Sequence, residues 1–461
     1  MLDRGMTIRS RPGLILGGAG ACALAGVACA VLPPAFILLA GALVVPTVLV
    51  LSGAARSFVL SVMVLSGGAS LLITVRLGPV SLLGVITALV AGLAWALWVL
   101  RGEWGGPALR PAVPLALLPA WGALGTLAGN GPTMPGMQLL LVIAAFAGLI
   151  LLTAATVQRS PAFADAVARS LAWAAWLATG CAVLGLVFLR SAADFGIGPR
   201  GYAAFALLPL AWYLVGWRHG SRATLLAAAV ILALIAISLS RTALVVAAFL
   251  VALAQFSPST PRGWIRLAAL GLVVAVALYA AVVHIEPLRA RFFDGDVSLS
   301  VGGLRINAMG RTKVWAATLA AARQSPWIGY GAGSASALAD RVIPGLGHPH
   351  NDYLRLFHDF GVVGLGLWLL GYALLLRGAW RAWRRAERAG DATARMHQTA
   401  VLALVAVALG MVTDNLLVYA FIMAPLAIVV GTSLGLAGHT PSPVTAPSAA
   451  APPGRTRRCA S

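Results

Sequence analysis

The stretch MQLLLVIAAFAGLILLTAATV, residues 137–157, decides the fold class, because it is long, apolar and free of charged side chains. A helix of about 20 apolar residues crosses a hydrocarbon core of about 30 Å. Comparable runs recur along the chain, in which 60% of residues are hydrophobic, 10% are charged and the mean hydropathy is +0.91. The sequence therefore predicts an all-α polytopic membrane protein.

Several of the candidate membrane spans are short, so we expect 12 to 14 transmembrane helices. The first run follows a basic N-terminus, as a signal peptide would, but it continues into the second run without a convincing cleavage site. We therefore expect it to be retained as a helix. The candidate spans are residues 13–32, 35–51, 57–75, 79–100, 112–128, 137–157, 171–189, 203–216, 223–239, 242–256, 267–283, 361–376, 399–413 and 416–436.

The net charge is +20, and the positions of the 33 basic residues are more informative than their number. If the N-terminus is cytoplasmic, the cytoplasmic connections and tail hold 21 of them. The short connections on the outer side hold only Arg76, Arg190, Arg200 and Arg241. This asymmetry is the positive-inside pattern, and it explains the charge without nucleic-acid binding.

One long polar connection divides the chain into four parts. We expect N-terminal transmembrane helices in residues 1–283, a large outer loop in 284–360, C-terminal transmembrane helices in 361–436 and a disordered cytoplasmic tail in 437–461. The loop holds the only lysine, four of the seven histidines and six of the thirteen acidic residues. Its helical apolar pattern over 311–331 argues against disorder, so we expect it to carry function.

Charged residues interrupt two apolar runs on the same outer side. Arg241 lies in SLSRTAL (238–244) and Asp414 in MVTDNLLVY (411–419), where a charge is costly unless it is paired or hydrated. Arg200 lies in another outer connection. Cations and a carboxylate are therefore expected to converge on the face that carries the large loop.

The stretch HPHNDYLRLFHDFGVVG, residues 348–364, holds three of the histidines. We expect it to run from a polar loop into a short helix, with Leu354 and Phe357 facing the core. Gly361 and Gly364 would permit close helix contact at the membrane entry.

The order of four motifs resembles the O-antigen ligase and Wzy-type polymerase superfamily of bacterial envelope glycan enzymes. The resemblance covers roughly residues 195–420, and the N-terminal half matches only as generic spans. The motifs are S-x-S-R at 238–241, G-R-x₃-W at 310–315, P-x-x-G-x-G at 326–331, and H-N at 350–351 followed after nine residues by G-x-x-G at 361–364.

This resemblance implies a metal-independent GT-C-type glycosyltransferase of the bacterial inner membrane, with its catalytic loop in the periplasm and no cofactor. It would transfer a glycan from an undecaprenyl-diphosphate-linked donor to a hydroxyl of a glycan, of a lipid A core or of another acceptor. The chemistry agrees, because displacing a polyprenyl diphosphate needs cations on the departing phosphates and a base near the incoming hydroxyl.

The candidate site residues follow from the resemblance and from their side-chain chemistry. Arg241 and Arg311 are expected to bind the diphosphate, with Arg200 as a third cation, because the guanidinium fork matches phosphate oxygens. His350 is the candidate base, since imidazole ordinarily titrates near neutral pH. Asn351 would orient His350 or contact sugar, and Asp414 would hold an arginine or an acceptor hydroxyl.

Each of these residues also has a structural interpretation. Arg241 could anchor at the membrane interface, Arg311 could pair with an acid such as Asp340, and His350 could cap a helix. His348 and His358 are interpreted as structural or substrate-lining. His348, His350 and Asp352 also suggest a metal site, but further ligands are unspecified, so we predict none.

The alternative functions differ in class. A Wzy-type O-antigen or exopolysaccharide polymerase would use the same donor with a different acceptor. A transporter or flippase of lipid-linked glycan would suit intramembrane charges, but no internal repeat is apparent and the titratable groups cluster in one outer loop. A third alternative is a non-catalytic assembly subunit.

Overall fold

The computed structural model describes residues 54–439 apart from 69–75, 78–79, 101–105, 107, 130, 132, 189–198, 258–260, 296–298, 302–303 and 309. The predicted spans 13–32 and 35–51 and most of the predicted tail 437–461 lie outside the described residues. The described helices are α1 (Ala54–Gly68), α2 (Leu82–Leu100), α3 (Leu109–Ala128), α4 (Met134–Arg159), α5 (Phe163–Phe188), α6 (Pro199–Arg218), α7 (Arg222–Ile237), α8 (Arg241–Ala254), α9 (Pro261–His284), α10 (Glu286–Phe293), α11 (Arg311–Ala322), α12 (Ser334–Val342), α13 (Asp352–Ala389), α14 (Ala394–Gly410) and α15 (Ala420–Gly438).

Seven of the described helices, α2, α3, α4, α5, α9, α13 and α15, are long and apolar enough to cross a membrane. Four more, α1, α7, α8 and α14, are apolar but shorter. The remaining regular elements are a 3₁₀ turn, Leu416–Val418, and two short antiparallel hairpins, β1–β2 (Arg76–Leu77 and Val80–Ser81) and β3–β4 (Leu299–Val301 and Leu304–Ile306). The prediction of an all-α polytopic membrane protein is confirmed.

Helices α4 and α15 form the centre of the bundle. About 83% of the apolar window of each is buried, compared with 6% for α9 at the periphery. Gly431 and Gly435 bring α15 close to α4, because an added Cβ would lie 2.8 Å from the Ile150 carbonyl oxygen and 2.6 Å from that of Ala154. Small residues four apart permit such close packing in membranes, where apolar burial does not favour helix association.

Helix α13 is bent where the sequence predicts a membrane entry. Gly361 has φ 66° and ψ −170° inside the helix, and an added Cβ would lie 2.2 Å from the Trp327 carbonyl oxygen. Only glycine fits this backbone and this contact. The predicted connection 377–398 is helical up to Ala389, so α13 extends well beyond the expected span.

The segment before Gly361 does not bury the side chains that the sequence predicts. Leu354 and Phe357 are only partly buried, whereas Arg355, His358 and Asp359 are fully buried. The expectation that the two apolar residues face the core is wrong, because polar partners from neighbouring loops bind the other face of the helix.

The polar segment 284–360 contains α10, the β3–β4 hairpin, α11, α12 and the start of α13. The helical pattern predicted over 311–331 is present up to Ala322, while the hairpin is an addition to the prediction. Helix α11 packs on α13. The turns after α7 and α14 lie against this segment, and we call this end of the bundle the site end.

Candidate functional site

Arg241 is positioned by a tight turn between α7 and α8. The Ser240 backbone N–H donates to Ser238 Oγ at 3.2 Å, and the Ser240 hydroxyl oxygen accepts from the Ala243 N–H at the start of α8. Between them Leu239 adopts a left-handed backbone, φ 53°. The S-x-S-R motif therefore ends one helix, begins the next and places an arginine at the first helical position.

Arg311 begins α11 at the other motif. Gly310 precedes it with φ 76°, a conformation that favours glycine. Arg311 Nη1 donates to the Thr413 carbonyl oxygen at 2.7 Å. Burial lowers the pKa of the Arg311 guanidinium, the Asp414 carboxylate opposes this shift, and the positive charge of Arg200 adds to it.

The two arginines line one cavity of about 430 Å³. Arg241 Nη1 donates to the Asn307 carbonyl oxygen, so both guanidinium groups are held by backbone carbonyls. Neither forms a salt bridge with a carboxylate among the described residues. The other walls are largely apolar and include Val245, Phe249, Trp315, Leu409 and Val412.

This cavity is amphipathic in a specific way. Its apolar walls continue onto exposed faces of the membrane helices, because Phe249 and Val412 are 47% and 44% exposed. Its cationic side lies where the two helix-starting arginines meet. The arrangement suits a ligand that joins an anionic group to a long apolar chain.

His350 lies beside this cavity but is not among its lining residues. Its backbone is left-handed, φ 52°, and its N–H donates to Asn415 Oδ1 at 2.9 Å. On the ring, Nδ1 lies 3.0 Å from Asn415 Nδ2 and 3.6 Å from Asp414 Oδ1. The imidazole is therefore fixed by the turn that also accepts the Arg311 hydrogen bond.

Asn351 caps helix α13. Its side-chain oxygen accepts from the Leu354 N–H at 2.9 Å, as an N-cap residue does. The H-N motif thus combines a left-handed histidine with a helix-capping asparagine, and the cap fixes the backbone that carries His350.

Asp414 is surrounded by groups that favour its charged form. Burial alone would raise the pKa of this carboxyl. The neighbouring His350 ring, the hydrogen bond from the Asn415 backbone N–H and the charge of Arg311 hold the pKa of this carboxyl below its usual value. Asp414 is consequently an anion between an arginine and the candidate base.

His348 is held in a neutral state by its neighbours. Arg355 Nη2 donates to His348 Nδ1 at 3.0 Å. Burial, then the charges of Arg355 and His350, lower the pKa of His348 to about 3. The carboxylate of Asp352 is also engaged, because its Oδ2 accepts from the Leu417 N–H at 2.8 Å.

The glycine-rich motif seats the loop on the bend of α13. The N–H groups of Tyr330 and Gly331 donate to the carbonyl oxygens of His358 and Asp359 at 3.0 and 2.9 Å. These acceptors lie just before the break at Gly361, where helical partners are missing. The P-x-x-G-x-G and G-x-x-G motifs therefore meet in space.

The structure brings Arg241 and Arg311 together and places Asp414 and His350 next to them. Arg200 is exposed at the start of α6, and its charge acts on both arginines. Asn415 is the residue that the sequence reasoning missed. It follows Asp414 directly in MVTDNLLVY, and its polar side chain in an apolar run was the available signal.

Fold and site together define a multi-pass α-helical membrane protein with a partly buried cationic site at one end of its bundle. Residues 220–369 match the Wzy_C family model, described as O-Antigen ligase. The match contains all four motifs and confirms the resemblance read from the sequence, over a shorter range than 195–420. No curated protein matches the chain significantly. The matched segment, residues 220–369, is therefore similar to the O-antigen ligase family, and the multi-pass helical fold agrees with this similarity.

Proposed function

We propose that the protein transfers a glycan from an undecaprenyl-diphosphate-linked donor to an acceptor hydroxyl on the periplasmic side of the inner membrane, as a metal-independent GT-C-type enzyme. The observation that carries this proposal is the cavity of about 430 Å³ with two arginines on one side and apolar walls on the other. The polyprenyl chain would follow the apolar walls, and the diphosphate would lie against Arg241 and Arg311.

The arginines supply the charge needed at the leaving group. As the bond between the anomeric carbon and the diphosphate oxygen breaks, negative charge grows on that oxygen. Guanidinium groups already fixed by backbone carbonyls stabilise this charge without further reorganisation. Arg200, on the exposed rim, would meet the outer phosphate.

His350 would accept the proton of the attacking hydroxyl. A neutral imidazole can do this at Nε2 only if Nδ1 carries the hydrogen. Asn415 Nδ2, a donor, requires a bare Nδ1, whereas the Asp414 carboxylate requires an N–H there. In the structure Nδ1 lies closer to Asn415 Nδ2, at 3.0 Å, than to Asp414 Oδ1, at 3.6 Å, so a base role requires the imidazole to turn toward Asp414. We assign Asp414 the role of holding the tautomer that suits a base.

The test is transfer by the purified protein in lipid nanodiscs, with a glycan on undecaprenyl diphosphate and an acceptor from the same bacterium. We expect product from the wild type and none above background from His350→Ala. Equal transfer by the two proteins would refute the proposed role of His350. If Arg311→Ala were also fully active, the proposed enzyme site itself would be refuted.

The product size separates the two enzyme classes that share this donor. A ligase attaches a preformed chain once, so a deletion strain keeps chain length and loses attachment. A polymerase extends the chain, so the deletion strain accumulates single repeats. We propose the ligase reaction, with the polymerase as its alternative.

A further inference from the structure

A second cavity of about 390 Å³ lies at the same end of the bundle and shares no lining residue with the arginine cavity. Its walls come from the α3–α4 connection, the end of α11, the glycine-rich loop, α12 and α13. We call it the His358 cavity. The residues that matter for its chemistry are Tyr330, Ser334, Arg341 and His358, with Ala337 on its wall.

The ring of His358 is fixed by a buried carboxylate. His358 is only 3% exposed, and its Nδ1 lies 3.2 Å from Asp359 Oδ1. Asp359 also accepts from the N–H groups of Gly333 at 2.9 Å and Ala335 at 2.7 Å. Because an ionised carboxylate has no hydrogen to donate, His358 carries its hydrogen on Nδ1.

The other ring nitrogen is therefore a hydrogen-bond acceptor. Nε2 of His358 has no hydrogen-bond partner among the described residues, although the side chain is almost completely buried and lines the cavity. Nε2 is not one of the fully buried polar atoms that lack a partner, so it is open to the cavity and can accept a hydrogen from a ligand there. A hydroxyl group meets this requirement and a phosphate dianion does not.

Neighbouring side chains extend the same recognition. The Tyr330 ring stacks on the imidazole with centroids 5.0 Å apart and planes inclined by 29°. The Ser334 hydroxyl is engaged within the protein, since it lies 2.7 Å from the Gly331 carbonyl oxygen and 2.9 Å from Asp359 Oδ1, whereas Arg341 is an exposed side chain on the wall. A sugar can stack on an aromatic ring such as that of Tyr330 while its hydroxyls form hydrogen bonds with donors such as Arg341 and with an acceptor such as His358 Nε2.

We propose that the His358 cavity is a binding subsite for the acceptor glycan. The inference rests on the proposed function, because it assigns the second substrate of that reaction. Helix α13 carries both sites: Asn351 caps it beside His350, and His358 follows about 10 Å along the axis at 1.5 Å per residue. The His358 cavity would hold one sugar of the acceptor while another presents its hydroxyl to His350.

Binding is measured first without any donor, so that it does not depend on transfer. The probe is the delipidated surface glycan released by mild acid from the source bacterium, and the readout is saturation-transfer NMR on the protein in nanodiscs. Ala337→Trp fills the cavity from an exposed position of α12. Arg323→Trp, an exposed position that does not line the cavity, is the matched control.

We expect glycan binding by the wild type and by Arg323→Trp, at least about tenfold weaker binding by Ala337→Trp, and a similar loss for His358→Phe. In transfer assays the acceptor KM should rise while kcat and the donor KM stay unchanged. Absence of glycan binding, equal binding by wild type and Ala337→Trp, or displacement by inorganic phosphate would overturn the subsite.

The proposed function fails separately. Glycan that binds in the His358 cavity without any transfer to it would leave the subsite standing and remove the reaction. If transfer occurs and neither Ala337→Trp nor His358→Phe changes the acceptor KM, the reaction stands and the subsite is refuted.

Discussion

Arg218 at one end of the bundle and Arg241 and Arg311 at the site end are partly buried arginines, and they are held differently. At the end opposite the site, Arg218 forms a salt bridge with Glu387 and donates to Gln398 at 2.7 Å. Ser257 also donates to Glu387, at 2.7 Å, so four helices or their ends are joined. At the site end, Arg241 and Arg311 donate to backbone carbonyls instead.

The difference separates an arginine that stabilises the fold from one that can bind a ligand: the first is neutralised by a carboxylate and the second is not. The charge of Arg218 is neutralised by a carboxylate, so the pair joins α6, α8, α13 and α14 and leaves nothing for a ligand. A carbonyl satisfies an arginine's donors without cancelling its charge. Three cations with the single carboxylate of Asp414 therefore leave a net positive site for an anion.

The largest expected effect comes from removing a site-end arginine. Arg311→Ala should lower transfer about 10²–10³-fold, because one fixed donor to the developing charge is lost. Arg311→Lys should recover part of the rate, since the charge returns without the planar fork. Initial rates at saturating acceptor measure both, and wild-type rates in Arg311→Ala would contradict the proposed role.

Replacing the candidate base should cost nearly as much. His350→Gln should reduce kcat about 10²-fold, the lower range for loss of general base catalysis. Asp414→Asn should give a smaller loss and a changed pH–rate profile, because the amide no longer selects the tautomer. An unchanged profile with reduced rate would instead indicate a purely structural role for Asp414.

The sequence predicts the site end of the bundle better than the opposite end. Apolar length, the charge asymmetry and the ordered motifs were sufficient for the fold class and for predicting that Arg241, Arg311 and His350 lie at the same end of the bundle; their roles stay predictions. The Arg218–Glu387 pair was not predictable, because it joins positions far apart in sequence and neither residue belongs to a motif.

The errors at the site end have a physical cause. Apolar pattern placed Leu354 and Phe357 toward the core, but the buried face carries Leu356 and Phe360 together with hydrogen-bonded polar side chains. Asp359 is buried because Gly333 and Ala335 donate to it. Such partners depend on the bend at Gly361, and a single sequence does not reveal them.

The paired arginine should affect stability rather than rate. Arg218→Met removes one partner and leaves Glu387 without its cation. Because the two side chains are 17% and 15% exposed, the cost should lie at or below the about 3–5 kcal/mol of a fully buried pair. We expect a clearly lower thermal midpoint in detergent, with transfer per folded molecule within about twofold of wild type. Loss of catalysis in fully folded Arg218→Met would break the comparison between the two ends.

The two histidines of the site end also differ in their neighbours. His348 accepts a hydrogen bond from the charged Arg355, whereas His350 lies beside the Asp414 carboxylate. The pKa of His348 is lowered to about 3 in the folded protein, below its ordinary value of 6.5. Its contribution to stability is therefore complete above pH 6.5 and is lost as the pH falls toward 3. His348→Asn should make the thermal midpoint depend less on pH over this range. An unchanged dependence on pH would contradict the lowered pKa of His348.

The smallest expected effect is that of a chelator. If the arginines alone stabilise the leaving diphosphate, dialysis against EDTA should leave the transfer rate unchanged. A rate that falls and is restored by Mg²⁺ or Mn²⁺ would show that a metal shares this task.

The central claim is that unneutralised arginines at the site end bind a lipid-linked diphosphate. The most direct test is the affinity of the protein in nanodiscs for undecaprenyl diphosphate, undecaprenyl monophosphate and undecaprenol. We predict at least about tenfold preference for the diphosphate over the monophosphate in wild type and in Arg218→Met, and loss of that preference in the Arg241→Ala/Arg311→Ala double variant. The same preference in the double variant would contradict the account.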